Sequence, residues 1–388
     1  MRIVYLNKVD VNSPLPAVNF TLFNAHALAQ AGAESHLFVQ KSLAGFDENM
    51  LFTQFDMPPL PNFHLHVYAQ ERLWGLKTNQ WFYLKVYNAI VRQHRQAKID
   101  AVISRDPGAL PYLARLRRKH GIAAFYQPHN YYADLSVRPD VNPTNARKYQ
   151  WLEKKFIPQV SGLLCLQDSQ AGWYRRSFPA QKILVAKPGL MRMAPPADDR
   201  FSKRVIGYIG SLQLKKGIEV LLQALVLLKE ENVRLLLVGG RNEAEIEPVR
   251  QRIRDLDLND LVEITGWVPF AQVQSCMQRI GVGVVPLQDT FYNRYLTAPN
   301  KLFDYLSRGI PIIAADLPAI RDFLTDGVNV RLFPPERPEA LAGAISDLFA
   351  SRERYDRLQR ASLQAAEDYR WDRRAQVMLD LIRDPAGA

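Results

Sequence analysis

The sequence predicts an α/β protein made of two doubly wound, Rossmann-like domains that face one another across a cleft. Short apolar, β-rich runs alternate with amphipathic helical stretches along the whole chain, which is the pattern of parallel βα units rather than of a sandwich or a bundle. The scheme runs twice, once on each side of a Pro-rich polar segment at residues 187–199 that reads as a linker. With 388 residues, 47% hydrophobic and 23% charged, the chain can bury two full cores and is too apolar for disorder.

In the first half, strands are expected at residues 3–6, 36–39, 101–104, 123–126 and 163–166, with a helix over 20–31 between the first two. In the second half the corresponding runs are 205–209, 235–238, 262–265, 283–285 and 311–314. Near the end, Trp371, Ala375, Met378 and Ile382 share one helical face, so this stretch predicts a packing helix that crosses back to the first domain. The expected domains are residues 1–195 together with the crossover helix at about 370–388, and residues 196–369. In open parallel sheets ligands collect beyond the carboxyl ends of the strands, so function is sought in those loops.

Charge divides unevenly. Residues 1–195 hold 24 Lys and Arg against 12 Asp and Glu, whereas the remainder holds 26 against 27, so all of the net +11 lies in the first half. That implies an acidic partner there: anionic lipid, a phosphorylated acceptor or nucleic acid. The aromatic residues Trp74, Trp81, Phe82, Tyr83 and Tyr87 lie among Arg72, Lys77, Lys85, Arg92 and Arg95, a mixture that suits a membrane interface where it is not core. Arg115 to Lys119 add cationic surface. No apolar run reaches the roughly 18–20 residues of a membrane helix, and residues 1–10 turn polar too early for a signal peptide. The expected location is therefore cytoplasmic, with peripheral contact at the inner membrane surface. Cys165 and Cys276 lack metal-ligand spacing and read as buried free thiols in a reducing compartment.

Two loops carry chemistry. The run Val205 to Ile209 enters Gly210-Ser211-Leu212-Gln213-Leu214-Lys215-Lys216-Gly217, and a helix follows from Ile218. Gly210 removes a side chain where a ligand approaches the backbone, the helix start offers N–H groups, and a lysine adds full charge, a combination that suits phosphate. It is not a Walker loop, because Gly-x4-Gly-Lys-Ser/Thr is absent. The second loop leaves a strand at Pro286, passes Arg294, and starts a helix near Pro299, where a missing N–H is tolerated. Asp304, early in that helix, either accepts hydrogen bonds from vicinal hydroxyls or merely compensates the helix dipole.

In order and spacing, Gly207 to Leu212 with Lys216-Gly217, then Thr265-Gly266-Trp267-Val268-Pro269, then Ala298 to Ala314 resemble the donor-binding half of the family 4 retaining glycosyltransferases, which have the GT-B fold. A looser likeness in the first half rests on residues 14–32 and on Tyr126-Gln127-Pro128-His129-Asn130. The resemblance implies a nucleotide diphosphate sugar held on the second domain, an acceptor on the first, and transfer with retained anomeric configuration. By it, Lys216 contacts the diphosphate, with backbone N–H groups near Asn300, Lys301 and Leu302. Asp304 takes the second carboxylate position of the family's Glu-x7-Glu motif, on the ribose hydroxyls. Gly266, Trp267 and Val268 line the base pocket beside Gly210 and Ser211, and His129 lies against the donor sugar. Ser13, Pro14 and Asn130 fall on the acceptor side.

Four positions depart from the family pattern. Ser211 replaces an arginine, so Arg294 or Lys301 is expected to supply the missing charge. Leu296 stands where the first Glu of the motif belongs, and Asp304 is one methylene shorter than Glu. Asn12-Ser13-Pro14-Leu15-Pro16 replaces a glycine pair. Cleavage of the sugar–phosphate bond leaves negative charge on the diphosphate, which N–H groups and a lysine meet, so neither a cofactor nor a metal is expected. This agrees with Asp198-Asp199 lying in the linker and Asp255-Leu256-Asp257 in a helix-like surface stretch. The expected activity is a UDP- or GDP-hexose transferase acting on a glycan or lipid-linked acceptor in cell-surface polysaccharide synthesis. The alternatives are a nucleotide-sugar epimerase on the same fold, and a basic nucleic-acid-binding protein, which lacks an RRM, KH or zinc signature in its support.

Overall fold

The computed structural model describes residues 1–11, 13, 16–41, 57–69, 72–73, 76–77, 79–190, 193 and 199–383, and the strands of its two main sheets are all parallel. The chain divides into a unit of Met1–Gly189 with Trp371–Ala388, and a unit of Leu190–Arg370.

In the first unit, β1 (Arg2–Asp10), β2 (Glu34–Lys41), β3 (Phe63–Ala69), β6 (Ala101–Ser104), β7 (Ala123–Tyr126), β8 (Gly162–Cys165) and β9 (Ile183–Val185) form a sheet of order β3-β2-β1-β6-β7-β8-β9. A short hairpin, β4 (Arg72–Leu73) with β5 (Leu76–Lys77), stands apart. Ile3, Val4, Tyr5 and Leu6 are buried in succession because helices cover both faces of a parallel sheet, which is why their sequence does not alternate. The helices are α1 (Pro16–Gln30), α2 (Asn79–Gln96), α3 (Leu110–His120), α4 (Pro143–Phe156) and α5 (Asp168–Ser177), with a C-terminal helix at Trp371–Arg383.

That last helix packs on α1 through the face read from the sequence, with Trp371, Ala375, Met378 and Ile382 all buried. The Trp371 ring lies 5.4 Å from Phe20 and 6.0 Å from Phe23. One turn on, Arg374 is buried and donates to Asn24 Oδ1 and to the carbonyls of Ala186 and Lys187, and burial pushes its pKa down to about 9.

The second unit orders β10 (Val205–Ile209), β11 (Arg234–Val238), β12 (Val262–Ile264), β13 (Val282–Val285), β14 (Ile312–Ala315) and β15 (Arg331–Phe333) as β12-β11-β10-β13-β14-β15. Its helices are α6 (Arg200–Lys203), α7 (Ile218–Leu227), α8 (Glu243–Asp255), α9 (Phe270–Arg279), α10 (Phe291–Tyr295), α11 (Asn300–Leu306), α12 (Pro318–Arg321), α13 (Pro338–Phe349) and α14 (Arg352–Ala366). Each sheet reverses its winding beside its first strand, at β1/β6 and at β10/β13, and the crevice beyond such a point is where ligands bind.

The sequence reading placed ten strands and passed over β3, β9, β15 and the hairpin. β3, FHLHVYA, is an edge strand whose histidines interrupt its apolar run, and β9 and β15 are three residues each. Helix α1 begins four residues earlier than expected, at Pro16. Cys165 is buried, whereas Cys276 is half-buried rather than buried, and both are free thiols. Phe82, Tyr83 and Tyr87 are core, Trp81 on the same helix is exposed, and Trp74 lies outside the described residues. Among the described residues no helix is long and apolar enough to cross a membrane.

Candidate active site

The loop after β10 is held by two contacts that only glycine permits. Gly217, the N-cap of α7, has φ +90°, and a Cβ there would lie 1.7 Å from the Pro286 carbonyl oxygen at the end of β13. Gly239, at the end of β11, has φ +134°, and its Cβ would lie 2.0 Å from the Gly210 carbonyl oxygen. Gly239 also bridges to Gly266, and its N–H donates to Thr265 Oγ1 at 3.3 Å. Gly210, Gly239 and Gly266 therefore bring the ends of β10, β11 and β12 together.

Two lysines converge on this floor. Lys216 Nζ donates to Ser211 Oγ at 2.8 Å. From α11, Lys301 reaches back so that its Nζ lies 3.4 Å from the centroid of the Tyr208 ring and 3.5 Å from where a Gly210 Cβ would stand. Burial pushes the Lys301 pKa well below its ordinary value, and the Lys216 charge pushes the same way. Burial raises Asp304, one turn along α11, to about 7 against the pull of Lys301 and Arg308. Two lysines thus stand beside the start of α7, whose first N–H groups lack intrahelical acceptors, with the partly neutralised Asp304 one turn from Lys301. A place with that balance attracts an anion.

Two expectations are corrected here. Arg294 is taken up by Asp289, whose two carboxylate oxygens accept from its Nη1 at 2.7 and 2.6 Å, and the side chain that stands beside Gly210 is Lys301. The Leu302 N–H, expected to meet the diphosphate, donates instead to the Pro299 carbonyl at 2.9 Å, and its side chain is fully buried in the apolar core of its unit. Leu296, at the missing-Glu position, is buried as well. Asn300 is exposed at the start of α11, and Trp267 is 59% exposed beside Gly266, with Val268 half-buried.

The first unit holds a separate pocket of about 240 Å³ at the carboxyl ends of β1, β6 and β7, where Asn7, Lys8, Arg105, Asp106, His129 and Asn130 contribute to its lining. Arg105 Nη2 lies 3.1 Å from His129 Nδ1, and a guanidinium only donates, so Nδ1 accepts and Nε2 carries the ring proton. His129 keeps exposed surface, yet the protein crowded around its ring, and then the Arg105 charge, push its pKa down to about 3. It is a neutral donor at neutral pH.

Below the pocket, buried Glu153 accepts from the hydroxyls of Tyr174 at 2.8 Å and Tyr126 at 3.4 Å and from the Tyr132 N–H at 2.9 Å. Burial raises it to about 7. Asn130 accepts from the Tyr131 N–H and donates to the Tyr132 hydroxyl, which fixes the wall next to His129. The Ser13 N–H donates to the Asp10 carbonyl at the end of β1, and Pro14 lies outside the described residues.

Residues 19–189 match the family described as "Glycosyl transferase 4-like domain", and residues 203–351 match "Glycosyl transferases group 1". The chain belongs to the family 4-type glycosyltransferases and has the GT-B fold. Among curated relatives, the D-inositol 3-phosphate glycosyltransferases of Corynebacterium urealyticum and Segniliparus rotundus are each 25% identical, over 60% of this chain and 58% and 54% of their own lengths. The chain thus spans somewhat over half the length of the curated relatives it matches. Among solved structures, the sucrose-phosphate synthase of Thermosynechococcus elongatus superposes with a TM-score of 0.75 at 18% identity, covering 99% of this chain and 98% of the other. Anabaena HepE in complex with UDP gives 0.73 at 16% identity, covering 99% and 100%.

At these two sites, sequence reasoning missed Arg105, Lys8, Asn7 and Gly239. All four stand at or just past the carboxyl end of a strand, β6, β1 or β11, so a scan of those positions for polar side chains and glycines is the signal that finds them.

Proposed function

We propose that this glycosyltransferase is a retaining hexosyltransferase whose second unit holds a UDP- or GDP-linked sugar and whose first unit receives a glycan or lipid-linked acceptor in cell-surface polysaccharide synthesis. The observation that carries the reading is the convergence of Lys216 and Lys301 on Gly210 and Ser211, beside the start of α7. As the sugar–phosphate bond breaks, charge accumulates on the diphosphate, and donors already in place stabilise that charge more than they stabilise the intact donor. Asp304 accepts from the ribose hydroxyls, and Gly266, Trp267 and Val268 border the base. In the first unit the Nε2–H of His129 is a neutral donor for a sugar oxygen. The leaving phosphate takes the acceptor's proton on the face from which it departs, so the residues proposed need no metal ion. The UDP bound to HepE supports a uridine donor, and the cationic excess of residues 1–195 suits an anionic or membrane-borne acceptor.

Calorimetric titration with UDP, GDP and ADP, followed by product analysis with the matching sugar nucleotides, tests this reading and separates transfer from epimerisation. One nucleoside diphosphate is expected to bind in preference, and Lys216→Ala is expected to lower turnover about tenfold to a thousandfold with the fold intact. Failure of every nucleoside diphosphate to bind, or unchanged turnover in the variant, rejects it.

A further inference from the structure

Three of the chain's seven histidines gather on one face of the first unit's sheet, at the amino ends of the strands, away from the pocket at their carboxyl ends. Strand register explains it. His36 pairs with His64 and Phe38 with His66 across β2 and β3, and side chains two apart on a strand share a face, so Glu34, His36, His64 and His66 stand together. The rings are fixed against one another: His36 and His64 have centroids 4.6 Å apart, His36 and His66 5.3 Å with planes 10° apart, and Phe38 lies on His66 at 4.3 Å.

We propose that Glu34, His36 and His64 form a site for a first-row transition-metal ion, zinc in the first instance, with His66 orienting His36. Glu34 Oε1 lies 3.2 Å from His36 Nε2 and 3.9 Å from His64 Nε2, and one ligand atom from each of the three residues falls within 4.8 Å of the others. Tetrahedral zinc with bonds of about 2.0–2.2 Å holds its ligand atoms roughly 3.3–3.5 Å apart, so the set is close to the required spacing and has only to contract. His64, with a side chain 41% exposed, supplies the freedom to close and the entry path, and water completes the fourth position.

The tautomers agree. His36 Nδ1 is 3.0 Å from His66 Nε2, so when His36 Nε2 gives its lone pair to the metal, its Nδ1–H donates to His66. Such an outer hydrogen bond fixes a ligating imidazole and is worth about 10–100-fold in affinity. Arg2 Nη2 lies 2.5 Å from Glu34 Oε1, and this cation opposes a second positive charge at the carboxylate. The site ties the amino ends of β2 and β3 together, away from the pocket at the carboxyl ends of the strands.

Untagged protein titrated with zinc chloride in a calorimeter, and with Co2+ while recording its visible spectrum, tests the site. One equivalent per chain at low-micromolar metal is expected, with a tetrahedral cobalt spectrum. Glu34→Gln and His64→Ala, the latter at a partly exposed position the fold tolerates, should each weaken binding at least about tenfold. Arg2→Gln should tighten it, because the opposing charge is gone. Absence of one-equivalent binding, or binding unchanged in both Glu34→Gln and His64→Ala, overturns the proposal.

Discussion

At the scale of single residues, Lys301 is the most consequential side chain of the second unit. Its ammonium sits over the Tyr208 ring, where a cation–π contact repays part of its desolvation, and a second cation, Lys216, acts on it. A diphosphate arriving there pulls the other way and favours the protonated form over the neutral amine. At pH values where free Lys301 has begun to lose its proton, binding of the preferred nucleoside diphosphate should therefore take up a proton, read as a calorimetric enthalpy that varies with the buffer's ionisation enthalpy. Lys301→Met should abolish that dependence and weaken binding about 10–100-fold, the worth of one charged hydrogen bond.

Glu153 gives a second residue-level prediction. Its folded pKa, about 7, lies above the ordinary 4.5, so the native state holds its proton more tightly than the unfolded chain does. Stability from this group is fully present below pH 4.5 and is lost as pH rises through 7, on the order of 3 kcal/mol in all. Denaturant melts from pH 5 to 8 should show that fall, and Glu153→Gln should flatten it. Much of the loop proposed to hold the donor was legible because Gly210, Lys216 and Gly217 are neighbours in sequence. The choice between Arg294 and Lys301 was not, since it depends on Asp289 capturing the arginine. Arg105 was hidden because its contact with His129 spans two strands.

At the scale of elements, the turn from β10 into α7 is the most constrained. An alanine at Gly217 would need φ near +90° and would drive its Cβ into the Pro286 carbonyl, so backbone at the end of β10 or β13 has to move. Gly217→Ala should cost at least about 2 kcal/mol and lower nucleotide affinity more than tenfold, by chemical denaturation and calorimetry. An unchanged affinity would separate the α7 start from the anion site. The elements that were readable share a cause: central parallel strands are buried on both faces and so are written as apolar runs. Edge strands such as β3 carry no such run, because half of their surface is polar, and β9 and β15 are too short to show a period. The C-terminal helix was readable from four residues because its apolar face is narrow and complete.

At the scale of the whole molecule, each unit has its own sheet and its own buried core, and the proposed activity divides between them. A ligand that binds only the native second unit stabilises that unit by RT ln(1 + [L]/Kd), about 2.7 kcal/mol at a hundred times Kd, and leaves the first unit's stability to its own contacts. Trp371 is one of those contacts: it fills the space between Phe20 and Phe23, and removing its ring leaves a cavity against α1. Trp371→Ala should therefore cost about 3–5 kcal/mol, all of it in the first unit. In hydrogen-exchange mass spectrometry, α1 and β1 of the variant should exchange faster, while residues 205–217 keep their protection and gain more on nucleotide addition. On heating, glycosyl transfer should fail at a lower temperature than in the parent protein while nucleoside diphosphate affinity persists, because the proposed transfer draws on both units and the proposed diphosphate capture on the second alone. Simultaneous loss of transfer and nucleotide binding would mean that the two cores unfold as one cooperative unit, and that the proposed division of labour has no counterpart in stability.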